Sequence, residues 1–219
     1  AYNFSEELRQ NEQYRKNRVL ADEVAQFLDD LLDQPLPPQS GNGFGGTNPR
    51  SQEIVRRGFL CKALGEFLIP EAVAPVLIRA ASSHADEDEL RVRLAAIEAI
   101  ALLIENTRSP ESDVSPDVLA LLLATSENKD RKIASRAAVG LAAVRQAEAT
   151  ARLEEMLGEA HHVDVYYNVA TGLARLGNTE GLEIIEEMLD PATERALTEE
   201  VNQNERELKR LRILLNALR

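Results

Sequence analysis

Tyr166-Tyr167-Asn168, taken with Arg136 and Arg175, is the group of residues whose types best suit a binding chemistry. Tyrosine, arginine and asparagine combine amphipathic area with planar hydrogen bonding at low entropic cost, which serves recognition more than bond-making. Such a patch fits an acidic or carboxylate-bearing peptide. The plainer reading packs one tyrosine in the core and pairs the arginines with nearby glutamates. His161-His162, followed by Asp164, suggests a metal. Adjacent helical residues, however, point about 100° apart and do not easily share one ion, so exposed loop imidazoles are expected. His84 with Asp86-Glu87-Asp88-Glu89 lacks the glycine and alternating ligands of a calcium loop. A solvated turn and helix start is expected there.

No nucleophile stands out. Cys61 is the only cysteine, which excludes an internal disulfide and a multi-cysteine zinc site; a buried core thiol is expected. The three histidines fall in predicted loops, and neither a Ser-His-Asp set nor a carboxylate pair can be assigned. We therefore expect no catalytic residue, no metal and no cofactor. Gly41-Asn42-Gly43-Phe44-Gly45-Gly46 matches the dinucleotide pattern G-x-G-x-x-G, but Pro35, Pro37 and Pro38 precede it where a strand is required. The expectation is a mobile loop or hinge, or a functional loop laid over a groove.

The elements that position these residues are helical. Hydrophobic residues reach 44% while aromatics stay at 4% with no Trp, a balance that favours close helix packing over a sheet. No apolar run is long enough for a membrane span. The net charge of −12 argues against nucleic acid and anionic lipid surfaces, which need a basic footprint. A reducing cytoplasm is the expected location, although the chain starts at Ala1 without Met, which leaves room for a removed leader.

Spacing predicts a long helix over 5–33, capped by Ser5, with apolar Leu8, Val19, Val24, Phe27, Leu28, Leu31 and Leu32. Arg9 to Asn17 is almost wholly polar, so this first half is expected to be exposed or to project past the domain. Further helices are expected near 50–68, 71–82, 88–106, 115–126, 130–145, 147–159, 164–177, 180–189 and 194–218. Together they make five antiparallel hairpins. Asn48-Pro49 and Ser115-Pro116 supply caps with proline in the first turn. Residues 1–33 then form an N-terminal helix serving partly as a cap and 34–49 a Pro/Gly-rich loop. Residues 50–190 hold the repeats and 191–219 a C-terminal capping helix, all in one domain. In that last helix Leu208, Leu211, Leu215 and Leu218 make a heptad-like stripe.

Four triplets repeat along the chain: Ala63-Leu64-Gly65, Ala99-Ile100-Ala101, Gly140-Leu141-Ala142 and Gly172-Leu173-Ala174. Their central residues lie 36, 41 and 32 positions apart, a period that marks stacked helical hairpins. Around them the pattern V-R-x-x-A-A-x-A-L-G-x-L-G fits Val92-Arg93 with Ala96, Ala99 and Ile100. It also fits Ile133 with Ala137, Ala138, Leu141 and Val144. A third copy runs through Val165, Val169, Ala170, Leu173, Ala174, Leu176 and Gly177. The copy at Ala63-Leu64-Gly65 and Phe67 is looser, with Arg56 where valine belongs.

On these residues the chain resembles the HEAT-repeat family, most closely its short, phycobilisome-lyase-type branch. The resemblance implies an all-α, right-handed α-solenoid of about five antiparallel hairpins, with the pattern helices lining a concave groove. Their variable positions would then face a partner: Gly58, Phe59, Lys62 and Glu66; Leu94, Ala95, Glu98 and Leu102; Ser135, Arg136, Val139 and Ala143; Tyr167, Asn168, Thr171 and Arg175. Leu94, Leu102 and Val139 are apolar, so either the phase slips there or the groove has an apolar floor. Of the two enzyme-bearing relatives, phycobilin lyase subunits share the repeat, but nothing marks a tetrapyrrole site. HEAT-like alkylpurine DNA glycosylases want a basic groove with Trp, which this chain lacks.

The function expected is a non-catalytic protein-interaction scaffold that presents a groove to a peptide or helix of a partner. It would be one part of a larger protein or assembly. Two other readings stand beside it. One is a subunit of a lyase-type enzyme acting on a chromophore or modified residue. The other is a structural connector forming a homodimer through residues 194–218.

Overall fold

A computed structural model describes residues 2–38, 48–82, 87–108, 114–160 and 162–189. Every regular element among them is an α-helix: α1 (Tyr2–Gln10), α2 (Glu12–Arg15), α3 (Arg18–Leu32), α4 (Pro49–Gly65), α5 (Pro70–Ser82), α6 (Glu87–Thr107), α7 (Pro116–Ser126), α8 (Arg131–Val144), α9 (Ala147–Glu159), α10 (Val163–Arg175) and α11 (Thr179–Met188). From α4 onward each helix starts within one residue of its expected position. The heptad stripe of 194–218, the glycine run 41–46, His84 and His161 lie outside the described residues.

The N-terminal region departs from expectation. In place of one helix over 5–33 there are three, because two asparagines restart the chain. Asn11 Oδ1 accepts the N–H groups of Gln13 and Tyr14, and Asn17 Oδ1 accepts that of Leu20. A side-chain acceptor at the N-cap satisfies donors that a continuous helix would bond internally, so each restart is stable where it stands. Arg9 to Asn17 is largely exposed, as expected, but the segment does not project. Leu8 is fully buried, and the Leu68 N–H donates to the Arg15 carbonyl at 2.8 Å, which fastens the segment to the end of α4.

Contacts gather the chain into two compact units, Ala1–Thr125 and Ser126–Arg219. In the first, α4 packs along α6 and α5 also rests on α6, while α3 touches α4 and α5 and α1 lies on α4. Leu28, Leu64, Phe67, Leu77, Ile97 and Ile100 are fully buried there. Each such side chain contributes about 1.5–3 kcal/mol through removal from water. The triplet at Ala63-Leu64-Gly65 sets the spacing. A Cβ on Gly65 would fall 2.8 Å from the Ala99 carbonyl oxygen and 2.9 Å from its Cα, so α4 and α6 approach as only glycine permits. Asn106 Nδ2 then donates to the Gly65 carbonyl at 3.1 Å, satisfying an end-of-helix acceptor.

The described start of the Pro/Gly-rich loop is pinned to α4. Buried Arg57 donates from Nη2 to the Gln34 carbonyl at 2.8 Å and from Nε to Glu53 Oε1 at 3.0 Å. Arg50 reaches the Pro37 carbonyl. Burial alone would raise the Glu53 carboxyl. The hydrogen bonds from Arg57 and Arg56 outweigh it and hold this group below the ordinary glutamate range.

In the second unit α10 packs against α8, α9 and α11, and α8 against α9. Leu141, Leu153, Leu173 and Ile185 are fully buried. Just past the end of α10 stands Gly177 at φ +83°, and the Asn178 N–H donates to the Leu173 carbonyl five residues back. That left-handed residue costs glycine nothing and lets α11 fold back onto α10.

Candidate functional site

Five of the sequence-predicted groove residues meet in one place. Phe59, Lys62 and Glu66 of α4 and Glu98 of α6 line a cleft of about 320 Å³ in the first unit. Ala99 and Leu102 contribute to its lining, and Ser5, Glu6 and Arg9 of α1 close another side. Leu102 thus belongs to an apolar part of the cleft wall. The positions follow from helix geometry: Phe59, Lys62 and Glu66 step by three and four along α4 and share one face.

Electrostatics centre on Glu66. The residue is only 2% exposed, and Arg9 donates to its Oε1 from both Nε (3.1 Å) and Nη2 (2.6 Å). A carboxylate so far out of water requires a cationic partner, and the forked guanidinium supplies one with two donors. Arg15 donates from Nε to the Glu66 main-chain carbonyl at 2.7 Å, so two arginines of the N-terminal segment converge on one residue. Across the cleft Lys62 Nζ stands 4.0 Å from Glu98 Oε2, a loose and half-exposed pair.

Of the remaining predicted residues, Ser135, Arg136, Val139 and Ala143 lie on α8, and Tyr167, Asn168, Thr171 and Arg175 on α10, all in the second unit. Asn168 Nδ2 donates to Ser135 Oγ at 2.6 Å and to the Asp164 carbonyl at 2.9 Å, tying α10 to α8. Ser135 is buried, so this amide works as a helix-to-helix link. Tyr167 stacks obliquely on Tyr166, with ring centroids 5.9 Å apart at 51°. Burial, then the charge of Glu187 on α11 and the neighbouring Tyr166, pushes the Tyr167 phenol above its usual range. Arg136 is exposed, while Val139, Thr171 and Arg175 are half-buried. At the start of these helices Arg131 faces Asp164 at 3.5 Å.

Burial pushes the Cys61 thiol up to about 12, so it stays protonated and unreactive. Among the described residues no three His, Cys, Asp or Glu side chains gather as a metal site, and no helix is long and apolar enough to cross a membrane. Sequence reasoning missed Ser5, Glu6 and Arg9. Leu8, an isolated apolar residue in a polar run, was the one signal that this segment docks. Comparison with known proteins finds no matching family model, no matching curated protein and no matching solved structure.

Proposed function

We propose that this chain is a non-catalytic interaction module built as a right-handed, HEAT-like α-solenoid, and that its cleft on α4 and α6 receives a peptide or helix of a protein partner. The observation that carries the reading is the cleft's make-up. Pattern-helix side chains give it an apolar lining at Leu102 and Phe59 and charged groups at Lys62, Glu66 and Glu98. Apolar centres with polar rims are what peptide-binding grooves use for affinity and register respectively. The packing of α4 on α6 and of α8 on α10 supports the repeat reading, since alternate helices form the rows of such a stack. We place its work in the cytoplasm.

The test is covalent capture. A photo-crosslinking benzoylphenylalanine at Lys62 of the full chain should trap one discrete protein in native extract. Leu102→Asp should abolish that band with helicity unchanged. Crosslinking that survives Leu102→Asp, or turnover of a small molecule by the purified chain, would refute the reading.

A further inference from the structure

We propose that Glu66 is the recognition point for an arginine on a partner's helix, and that α1 occupies it in cis as an autoinhibitory strap. The proposal rests on the interaction reading above. Glu66 is nearly sealed from water, and the cation that satisfies it comes from α1 through two Arg9 donors on one oxygen.

The strap itself is slight. Helix α1 has nine residues, below the roughly 12–15 at which an isolated helix becomes stable in water. From Phe4 to Gln10 only Leu8 is buried, while Glu6, Glu7, Arg9 and Gln10 are exposed. Ser5 Oγ is buried beside the cleft with no hydrogen-bond partner among the described residues, a penalty that α1 carries only while docked.

Its pivot is fastened separately. Asn11 ends α1 and caps α2, and Arg15 bonds the main chain at Glu66 and Leu68. Helix α1 can therefore swing away while α2 stays in place. Once it does, Glu66 and Glu98 outnumber Lys62 in the cleft, and the chain as a whole is strongly acidic. An acidic segment would be repelled from such a site. A helix presenting Leu-Arg in the register of Leu8-Arg9 would refill the apolar seat and neutralise Glu66.

The probe is a synthetic, dye-labelled Tyr2–Gln10 peptide titrated into the full-length chain by fluorescence anisotropy. Wild type, with its strap in place, should bind it weakly. Full-length Arg9→Ala, in which the cis competitor is loosened, should bind about tenfold more tightly, since apparent affinity scales with the open fraction. Adding Glu66→Gln should erase that gain, and a peptide carrying its own Arg9→Ala should bind neither chain. Amide exchange over 2–10 should quicken in the Arg9→Ala chain while α4 keeps its protection. If Arg9→Ala lowers helicity, Arg9→Lys, which keeps the charge without the fork, replaces it and should give a smaller gain. Equal affinity for wild type and the Arg9 variant, or a gain that survives Glu66→Gln, overturns the strap. That failure leaves the Lys62 crosslink untouched, so the strap and the interaction reading fail separately.

Discussion

In the first unit the variable positions of α4 and α6 face a cleft, whereas in the second those of α8 and α10 partly tie the helices to each other. The residue types alone point the opposite way. Tyr167 and Asn168 look like recognition residues, yet Asn168 bridges to buried Ser135 and Tyr167 lies against its neighbour. Glu66 looks like one more solvated glutamate, yet it is nearly sealed and held by Arg9. What lies opposite a side chain decides its role. Helix α1 lies opposite α4, and it is this added element that turns a helix face into a cleft.

The comparison breaks most visibly in the two cores, which should behave alike. Phe67→Ala in the first unit should cost about 3–5 kcal/mol and Leu173→Ala in the second about 2–5 kcal/mol by urea denaturation, because both side chains are fully buried. A core in either unit that tolerates its truncation within about 0.5 kcal/mol is not the packed interior described. Asn168→Ala comes next. It leaves the Ser135 hydroxyl unpaired in a buried site and should cost about 1–3 kcal/mol, with the Lys62 crosslink unchanged. The opposite result, full stability with the crosslink gone, would return Asn168 to the binding surface and erase the contrast between the units.

The smallest effect concerns acid. Glu53 is held below its ordinary value of 4.5 by Arg57 and Arg56. Its folded-state value is therefore depressed, so its contribution is complete above 4.5 and is lost as the pH falls through the lower, folded value. Urea midpoints taken at pH 6 and at pH 3 should fall less in Glu53→Gln than in wild type. Amide exchange should locate the difference in the first unit. An unchanged acid slope would mean that the Arg57 pair stabilises nothing.

Much of this fold is legible before any coordinates. Small residues flanking Leu64, Ile100, Leu141 and Leu173 in phase, with Asn48-Pro49 and Ser115-Pro116 as starts, place α4 to α11 to within a residue at their beginnings. Those are local signals, set by caps and helical periodicity. The break of the N-terminal helix was written in Asn11 and Asn17, but a polar run without proline or glycine hides its caps among other polar residues. The site is legible only in half. Phe59, Lys62, Glu66 and Glu98 follow from the repeat register, whereas the Arg9–Glu66 pair joins positions 57 apart. No spacing rule reaches that far.

The two arginines that meet at residue 66 divide their labour like a latch and a rivet. Arg9 grips a side chain, whereas Arg15 grips a main-chain oxygen that every amino acid at this position would still offer. Substitution at residue 66 can therefore retune or remove the latch without unmooring the chain behind it. The strength of closure at the cleft is thus set by the side chain at residue 66, and the anchorage of α2 by the backbone alone.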